Sequence, residues 1–350
     1  MSEQRAMLAD TVDRLFGELM ADGMPGTDFN ILSGLWERIE ELGLIDVFLP
    51  ESAGGFGGCW EDACVVFNLL GLHALPLPIG EGLIARKLLL EAAVPAPPGI
   101  ITVAVCEDAH LQVAEAGGLM FSGTVTDVPW GGLAQHLVIA CHCNNEDHLL
   151  LLAGEQSSSL SQHLNAADEP RDDMVFQSVS VVATAVLPGC VDNLWLYGAL
   201  LRSAQISGAL EAALKLTVEY VNQREQFGRP LSKFQALQHQ LALLAEHTAA
   251  VNCAATAAGR RADKGEAQFE IAAAKLRANF AVGEATSIAH QTHGAIGTTR
   301  EHHLHYWTQR LWSWRSEFGN DRYWSNRLGK LVLAEGGEKF WRNLTARSDS

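Results

Sequence analysis

Apolar residues recur at helical spacing, then at strand spacing, then at helical spacing again to the end of the chain. ADTVDRLFGELM (9–20), ILSGLWERIEELGL (31–44) and CVVFNLLGLHAL (64–75) each carry an apolar face with a 3.6-residue period. FLPESAGGFGG (48–58) is a Pro/Gly loop between them, and Pro95, Pro97 and Pro98 end the helical pattern. ITVAV, GLMFSGTVTDV, HLVIAC, HLLLLA and VSVVATAVL then follow as short β-branched runs between turn signals, with a polar loop at 156–173. This pattern predicts a compact antiparallel β domain. From about 192 three long Ala/Leu-rich helices return, the second with Leu231, Phe234, Leu237, Leu241 and Leu244 on one face. The expected class is α+β multidomain: an N-terminal helical domain at 1–98, a middle antiparallel β domain at 99–190 and a C-terminal four-helix bundle at 191–350.

Composition narrows the function. A chain of 350 residues, 48% hydrophobic and 19% charged, has enough apolar material for a sizeable core. Its formal charge of -16 argues against nucleic acid, which needs excess Lys and Arg, and against an anionic membrane surface. Seven scattered cysteines, an odd number, suit reduced thiols in a cytoplasm better than a disulfide framework. Cys141-His142-Cys143, near His136 and His148, has no second Cys pair at zinc spacing and reads as part of a strand, so no metal is expected. The opening MSEQRAMLADTVDRL lacks an apolar signal core and no run approaches a membrane span, so a cytoplasmic protein is expected.

Candidate chemistry gathers in REQFGRPLSKFQALQHQLA (224–242), a helix entry whose polar residues are mostly glutamines. Arg224 offers a planar fork of donors suited to a pyrophosphate. Phe227 can pack on a flat ring, and Gly228 lets the chain turn before Pro230. In HQTHGAIG, Gln291 can reach a base or phosphate, while Gly294, Ala295 and Gly297 keep side chains off a close-approaching ligand. His302, His303 and His305 read as loop and interface residues before a metal or acid–base cluster, and the tryptophans at 307, 312, 314 and 324 as packing.

These two motifs, with LGLIDVFLPESAGGFGG and FSGTVTDVPWGGLAQHLVIA, resemble those of the acyl-CoA dehydrogenase family over nearly the whole chain. The resemblance implies FAD, an acyl-CoA substrate desaturated at its α,β bond, an electron-accepting flavoprotein and a homo- or hetero-tetramer. It places Arg224, Gln226, Phe227, Leu231, Phe234, Gln235, Gln291, Gly294 and Ala295 on the FAD of a neighbouring subunit.

Elsewhere the pattern breaks. Cys106-Glu107-Asp108 stands in place of the family's flavin-ring segment, without its following Gly-Ser pair. Asp127-Val128-Pro129 stands in place of an aromatic-Ile-Thr triplet, with Trp130 one position on. Phe318 falls where the family has its catalytic glutamate, and Gly198 falls at the alternative glutamate position on the first bundle helix. Glu317 is the candidate base that remains, one residue early, a shift of about 100° if the segment is helical. Its simpler role is that of an exposed charge at a helix start. The chain therefore resembles the short auxiliary subunits of heteromeric acyl-CoA dehydrogenases. The alternatives are a self-sufficient homo-oligomer using Glu317 and a flavin-free structural or thioester-binding protein.

Overall fold

A computed structural model describes residues 3–21, 23, 29–114 and 117–348. Four helices open the chain: α1 (Glu3–Leu19), α2 (Phe29–Glu41), α3 (Trp60–His73) and α4 (Ile79–Glu91). The 48–58 loop holds a short turn of 3₁₀ helix, Glu51–Ala53, and ends at the α3 N-terminus. Two carboxylates meet the free N–H groups there. Asp62 accepts from the Cys59 amide at 3.0 Å, and Asp263, from the far end of the chain, accepts from the Trp60 amide at 2.6 Å. Negative charge at a helix start is favourable, so this cap also ties the N-terminal helices to residue 263 in the C-terminal helical region.

Eight strands form two four-stranded sheets. They are β1 (Ile101–Cys106), β2 (His110–Val113), β3 (Leu119–Pro129), β4 (His136–Cys143), β5 (Glu146–Ala153), β6 (Ser159–Ser161), β7 (Arg171–Ser180) and β8 (Ala183–Val186). The sheet orders are β1-β4-β5-β8 and β2-β3-β7-β6. The expectation of a wholly antiparallel domain needs correction, because β1 pairs with β4 in parallel. After β1 the chain crosses to the other sheet as β2 and β3 before returning, which gives the long connection that a parallel pair requires. VSVVATAVL is likewise not one strand. The Val181 amide bonds to Leu119 on one sheet and the Val182 amide to Leu151 on the other, so the chain changes sheets between them. The polar loop 156–173 supplies β6 and the start of β7.

β4 is buried on both faces, hence its continuous apolar run. Leu137, Ile139 and Cys141 enter the core between the sheets with Phe121 and Phe176, while Val138 and Ala140 join the helical core. Cys141 is therefore a core residue. Among the described residues no group of three or more His, Cys, Asp or Glu could hold a metal ion, and no helix is long and apolar enough to cross a membrane.

The helical end comprises α5 (Cys190–Gln223), α6 (Gln235–Ala262), α7 (Gln268–His293), α8 (Leu304–Ser316), α9 (Asp321–Glu335) and α10 (Phe340–Ser348). Instead of a fourth long helix, α8 and α9 complete the bundle against α5 and α7. α5 is buried on every side through its middle, residues 198–210. It touches α3 backbone to backbone: a Cβ on Gly71 would lie 1.9 Å from the Gln205 carbonyl oxygen, and one on Gly208 1.9 Å from that of Asn68. α6 differs. Of its expected apolar face, Leu244 is buried and Leu237 and Leu241 are only half-buried.

The α3–α5 contact yields a direct expectation. Gly208→Ala cannot be absorbed by a side-chain rotation and should destabilise the protein by about 3 kcal/mol or more, the upper range of overpacking penalties, as read from urea denaturation. Gly329→Ala, where a Cβ meets nothing within 4 Å, is the control expected to leave the midpoint unchanged or raise it.

Candidate functional site

A cleft of about 770 Å³ opens between the sheets and the bundle. Val103, Val105, Thr124 and Asp127 line one wall, Leu194, Trp195 and Trp312 the other, and Glu317 and Phe318 the inner end. Glu107, Asp108 and Asp127 bring three carboxylates to the sheet side. Pro129 stands at the missing hydroxyl position, and its carbonyl already accepts from Thr102 Oγ1 at 2.7 Å. Trp130 is 3% exposed and belongs to the helical core, so its indole does not replace the lost aromatic.

The positions expected for a base meet in space. A Cβ on Gly198 would lie 2.2 Å from the Phe318 ring, so the ring lies over the bare glycine. Glu317 is not at a helix start, as anticipated, but at the C-terminal end of α8 in extended backbone, with its side chain 18% exposed. Arg171 donates to it through Nε and Nη2 at 3.0 Å each, and Arg202 through Nε at 2.7 Å. Asn165 Nδ2 adds a contact at 3.2 Å. Burial pushes this carboxyl upward, but the two guanidiniums and the amide outweigh it and hold it at about 2.

Those arginines belong to a longer chain of buried charges. Arg202 also binds Glu81 of α4 at 2.6 Å, and Arg171 binds Glu169 at 3.2 Å. Arg310 of α8 meets the other oxygen of Glu169 at 3.0 Å, and Trp314 Nε1 donates to Glu169 at 3.3 Å. Beneath the loop lies Lys275, fully buried. Its ammonium reaches the carbonyls of Trp314, Arg315 and Gly319 at 3.1, 2.9 and 3.2 Å, and Asn279 Oδ1 at 2.6 Å. Burial pushes this amine down to about 7, while a cation on the open carbonyls of a helix end is favourable. Of these residues only Trp314 was singled out from the sequence, and then for packing. A lone arginine in the apolar run LYGALLRSAQISGAL was the available signal for Arg202.

The other predicted residues lie elsewhere. α5 has 34 residues, roughly 50 Å of helix, and separates Trp195 at the cleft from Arg224 at its far end. There Glu225–Gln226 and Arg229–Pro230 pair as a two-residue hairpin, with Phe227 at φ 54° and Gly228 at φ 77°. Two positive φ values in the loop make a type I′ turn, which Asn-Gly suits and phenylalanine does not. Phe227 is nonetheless 91% exposed. Arg224, Gln226 and Gln235 are exposed, and Leu231 and Phe234 half-buried, with the Arg229 guanidinium 4.2 Å over the Phe234 ring. Arg224 has no ion-pair partner among the described residues.

Gln291, Gly294 and Ala295 are exposed at the end of α7, at the same end of the bundle. Tyr220 ties the two groups, stacking on His293 at 4.5 Å and donating to its carbonyl at 3.2 Å. Of the triplet, His302 and His305 bond to the turn that starts α8. Trp314 and Trp324 are buried, whereas Trp312 is 46% exposed at the cleft.

Comparison with known proteins decides the family. Residues 196–328 match the model described as acyl-CoA dehydrogenase, C-terminal domain. Acyl-CoA dehydrogenase IpdE2 of Mycobacterium tuberculosis is 30% identical over 315 residues, covering 88% of this chain and 91% of that protein. The chain belongs to the acyl-CoA dehydrogenase family. The fold of this dehydrogenase family member matches the ChsE4-ChsE5 complex from Mycobacterium tuberculosis at a TM-score of 0.84, with 21% identity and 96% and 98% of the two chains covered. It also matches butyryl-CoA dehydrogenase from Megasphaera elsdenii at 0.82, with 17% identity and 95% and 99% covered.

Two expectations follow for the buried charges. Because the folded pKa of Glu317 lies below its ordinary value of 4.5, its contribution is fully present above about pH 4.5 and is lost as pH falls towards 2. Glu317→Gln should therefore flatten the acid limb of a stability-against-pH curve, and an unchanged limb would contradict the pairing. Arg202→Met, which strands Glu81 and leaves Glu317 to Arg171 and Asn165, should cost about 3–5 kcal/mol in denaturant unfolding at neutral pH.

Proposed function

We infer that this chain is an auxiliary subunit of a hetero-oligomeric, FAD-dependent acyl-CoA dehydrogenase, in which it completes the flavin site of a longer, base-bearing partner. One contrast carries the reading. At one end of α5 the carboxylate next to the family's base position, Glu317, is held by two guanidiniums, while at the other end a guanidinium with no ion-pair partner among the described residues and a strained, exposed aromatic face outward.

The two ends differ in their fit to FAD. At the hairpin, Arg224 offers a fork to a pyrophosphate and Phe227 a flat face. Gly294 leaves space where a Cβ would meet nothing within 4 Å, and the buried Nε2 of His293 has no hydrogen-bond partner among the described residues. These groups would hold the adenosine and pyrophosphate end of a cofactor whose ring sits in the partner. The chain's own cleft does not fit that end: its sheet side carries Glu107, Asp108 and Asp127, and its arginine is committed to Glu169 and Glu317. FAD supplies the hydride acceptor when bound. This chain supplies binding and orientation, and its inner cleft supplies no free base. A base must reach the proton it takes, and a carboxylate held near pH 2 by two guanidiniums is poorly matched to proton abstraction at neutral pH. The mycobacterial ChsE4-ChsE5 complex, which shares the fold, is a complex of two differently named chains and so supports a heteromeric arrangement.

The test is co-expression with an acyl-CoA dehydrogenase-like partner. The complex should carry flavin, and the isolated chain should carry little. Arg224→Ala should lower flavin retention in the complex by tenfold or more, given the strength of charge-assisted bonds. Stoichiometric flavin together with desaturation activity in the isolated protein, abolished by Glu317→Gln, would instead establish the self-sufficient reading.

A further inference from the structure

A second cavity, of about 590 Å³, lies between α1, α3, α5 and α6 and shares no lining residue with the cleft. Its volume is in the ordinary range of small-ligand sites, about 300–1,000 Å³. Its walls are small and apolar: Ala9 from α1, Cys64 and Val65 from α3, Ala204 from α5 and Ala255 from α6. Ser207 lies on the α5 floor. It is 1% exposed, and its Oγ has no hydrogen-bond partner among the described residues. A mid-helix serine ordinarily bonds back to the carbonyl four residues earlier, as Ser203 does to Ala199 at 2.7 Å. Ser207 does not, so its hydroxyl is left for something else in the cavity.

The frame around the space is fixed without a ligand. α3 is locked to α5 where Gly208 meets Asn68, and α6 is held to α3 by Arg260 on Glu61 at 2.8 Å and by the Asp263 cap. The charges at the mouth neutralise one another, since Arg5 pairs with both Glu61 and Asp62 and Arg260 pairs with Glu61. The remaining rim groups, Asn68, Asn252 and Thr256, are uncharged. Such a lining offers an ionic ligand no unspent counter-charge and offers an apolar body small-residue walls on several sides.

We propose that this cavity binds a neutral, largely apolar small molecule whose single hydroxyl or carbonyl group is hydrogen-bonded by Ser207. The site stands apart from the flavin arrangement and does not depend on it. The pair 1-naphthol and naphthalene probes it, differing by one hydroxyl, with binding to the full chain followed by fluorescence. Saturable binding of 1-naphthol is expected. Ser207→Ala should weaken it about five- to tenfold while leaving naphthalene unchanged, the signature of one lost hydrogen bond. Asn252→Trp, on the exposed rim, should weaken both probes and so separates this cavity from the cleft. Thermal melts check that each variant is folded, and Ser207→Thr keeps the hydroxyl if the alanine variant is not. Absence of saturable binding, indicating a hydroxyl satisfied by water only, would overturn the proposal. So would 1-naphthol binding that ignores both Ser207→Ala and Asn252→Trp.

Discussion

Six buried charges alternate in sign through the centre of this protein: Arg310, Glu169, Arg171, Glu317, Arg202 and Glu81. Each ion taken from water carries a desolvation cost of several kcal/mol, recovered only when every neighbour is in place. The chain therefore fixes geometry more than it adds stability. It joins α4, α5, α8 and the entry to β7, so the N-terminal helices, the sheets and the bundle cannot shift independently without stranding a charge. Lys275 extends the constraint to the backbone by gathering the carbonyls at the end of α8. The loop carrying Glu317 and Phe318 is thus held from both sides.

That rigidity explains why the two ends of α5 can differ so much. At the cleft every charged group at the inner end is satisfied within the chain, and the arginine side chains are nearly inaccessible. At the hairpin, polar and aromatic groups remain exposed, and a phenylalanine holds a backbone conformation that costs energy without burying its ring. An exposed, strained aromatic brings the chain no stability of its own. Its place beside an arginine that has no ion-pair partner among the described residues is what supports the proposed role of this surface in holding a cofactor.

Much of this was legible in the sequence, for identifiable reasons. Periodicity located the helices and strands because each buries one or two defined faces. The hairpin residues and those at the end of α7 drew notice because their types suit a ligand and their spacing marks a turn, and the structure brings them to one end of the bundle. Order within the sheets was not legible: the parallel β1–β4 pair depends on a crossover that local pattern does not encode. The charge chain was missed for a related reason. Its members come from residues 81, 169, 171, 202, 310 and 317, and a long-range partner leaves no local trace beyond an isolated charge in an apolar run. Glu317 was expected to be exposed at a helix start, whereas it closes a helix end and is largely buried by partners distant in sequence.

The pairing of Phe318 with Gly198 shows why the inner cleft is not one substitution away from a catalytic one. The two positions share a single volume, since the aromatic ring occupies the space that a side chain on the glycine would need. A glutamate introduced at 198 would collide with the ring. The Arg202 guanidinium lies 5.6 Å from the Phe318 ring centroid, so a glutamate introduced at 318 would bring a third carboxylate towards a guanidinium already shared by two. Each replacement stabilises the other, and the charge chain behind them keeps the loop from moving to relieve either conflict. Packing and electrostatics therefore act together to keep an unpaired carboxylate from the family's base positions at the inner end of this cleft, and on that physical ground the proposed function gives proton abstraction to a partner.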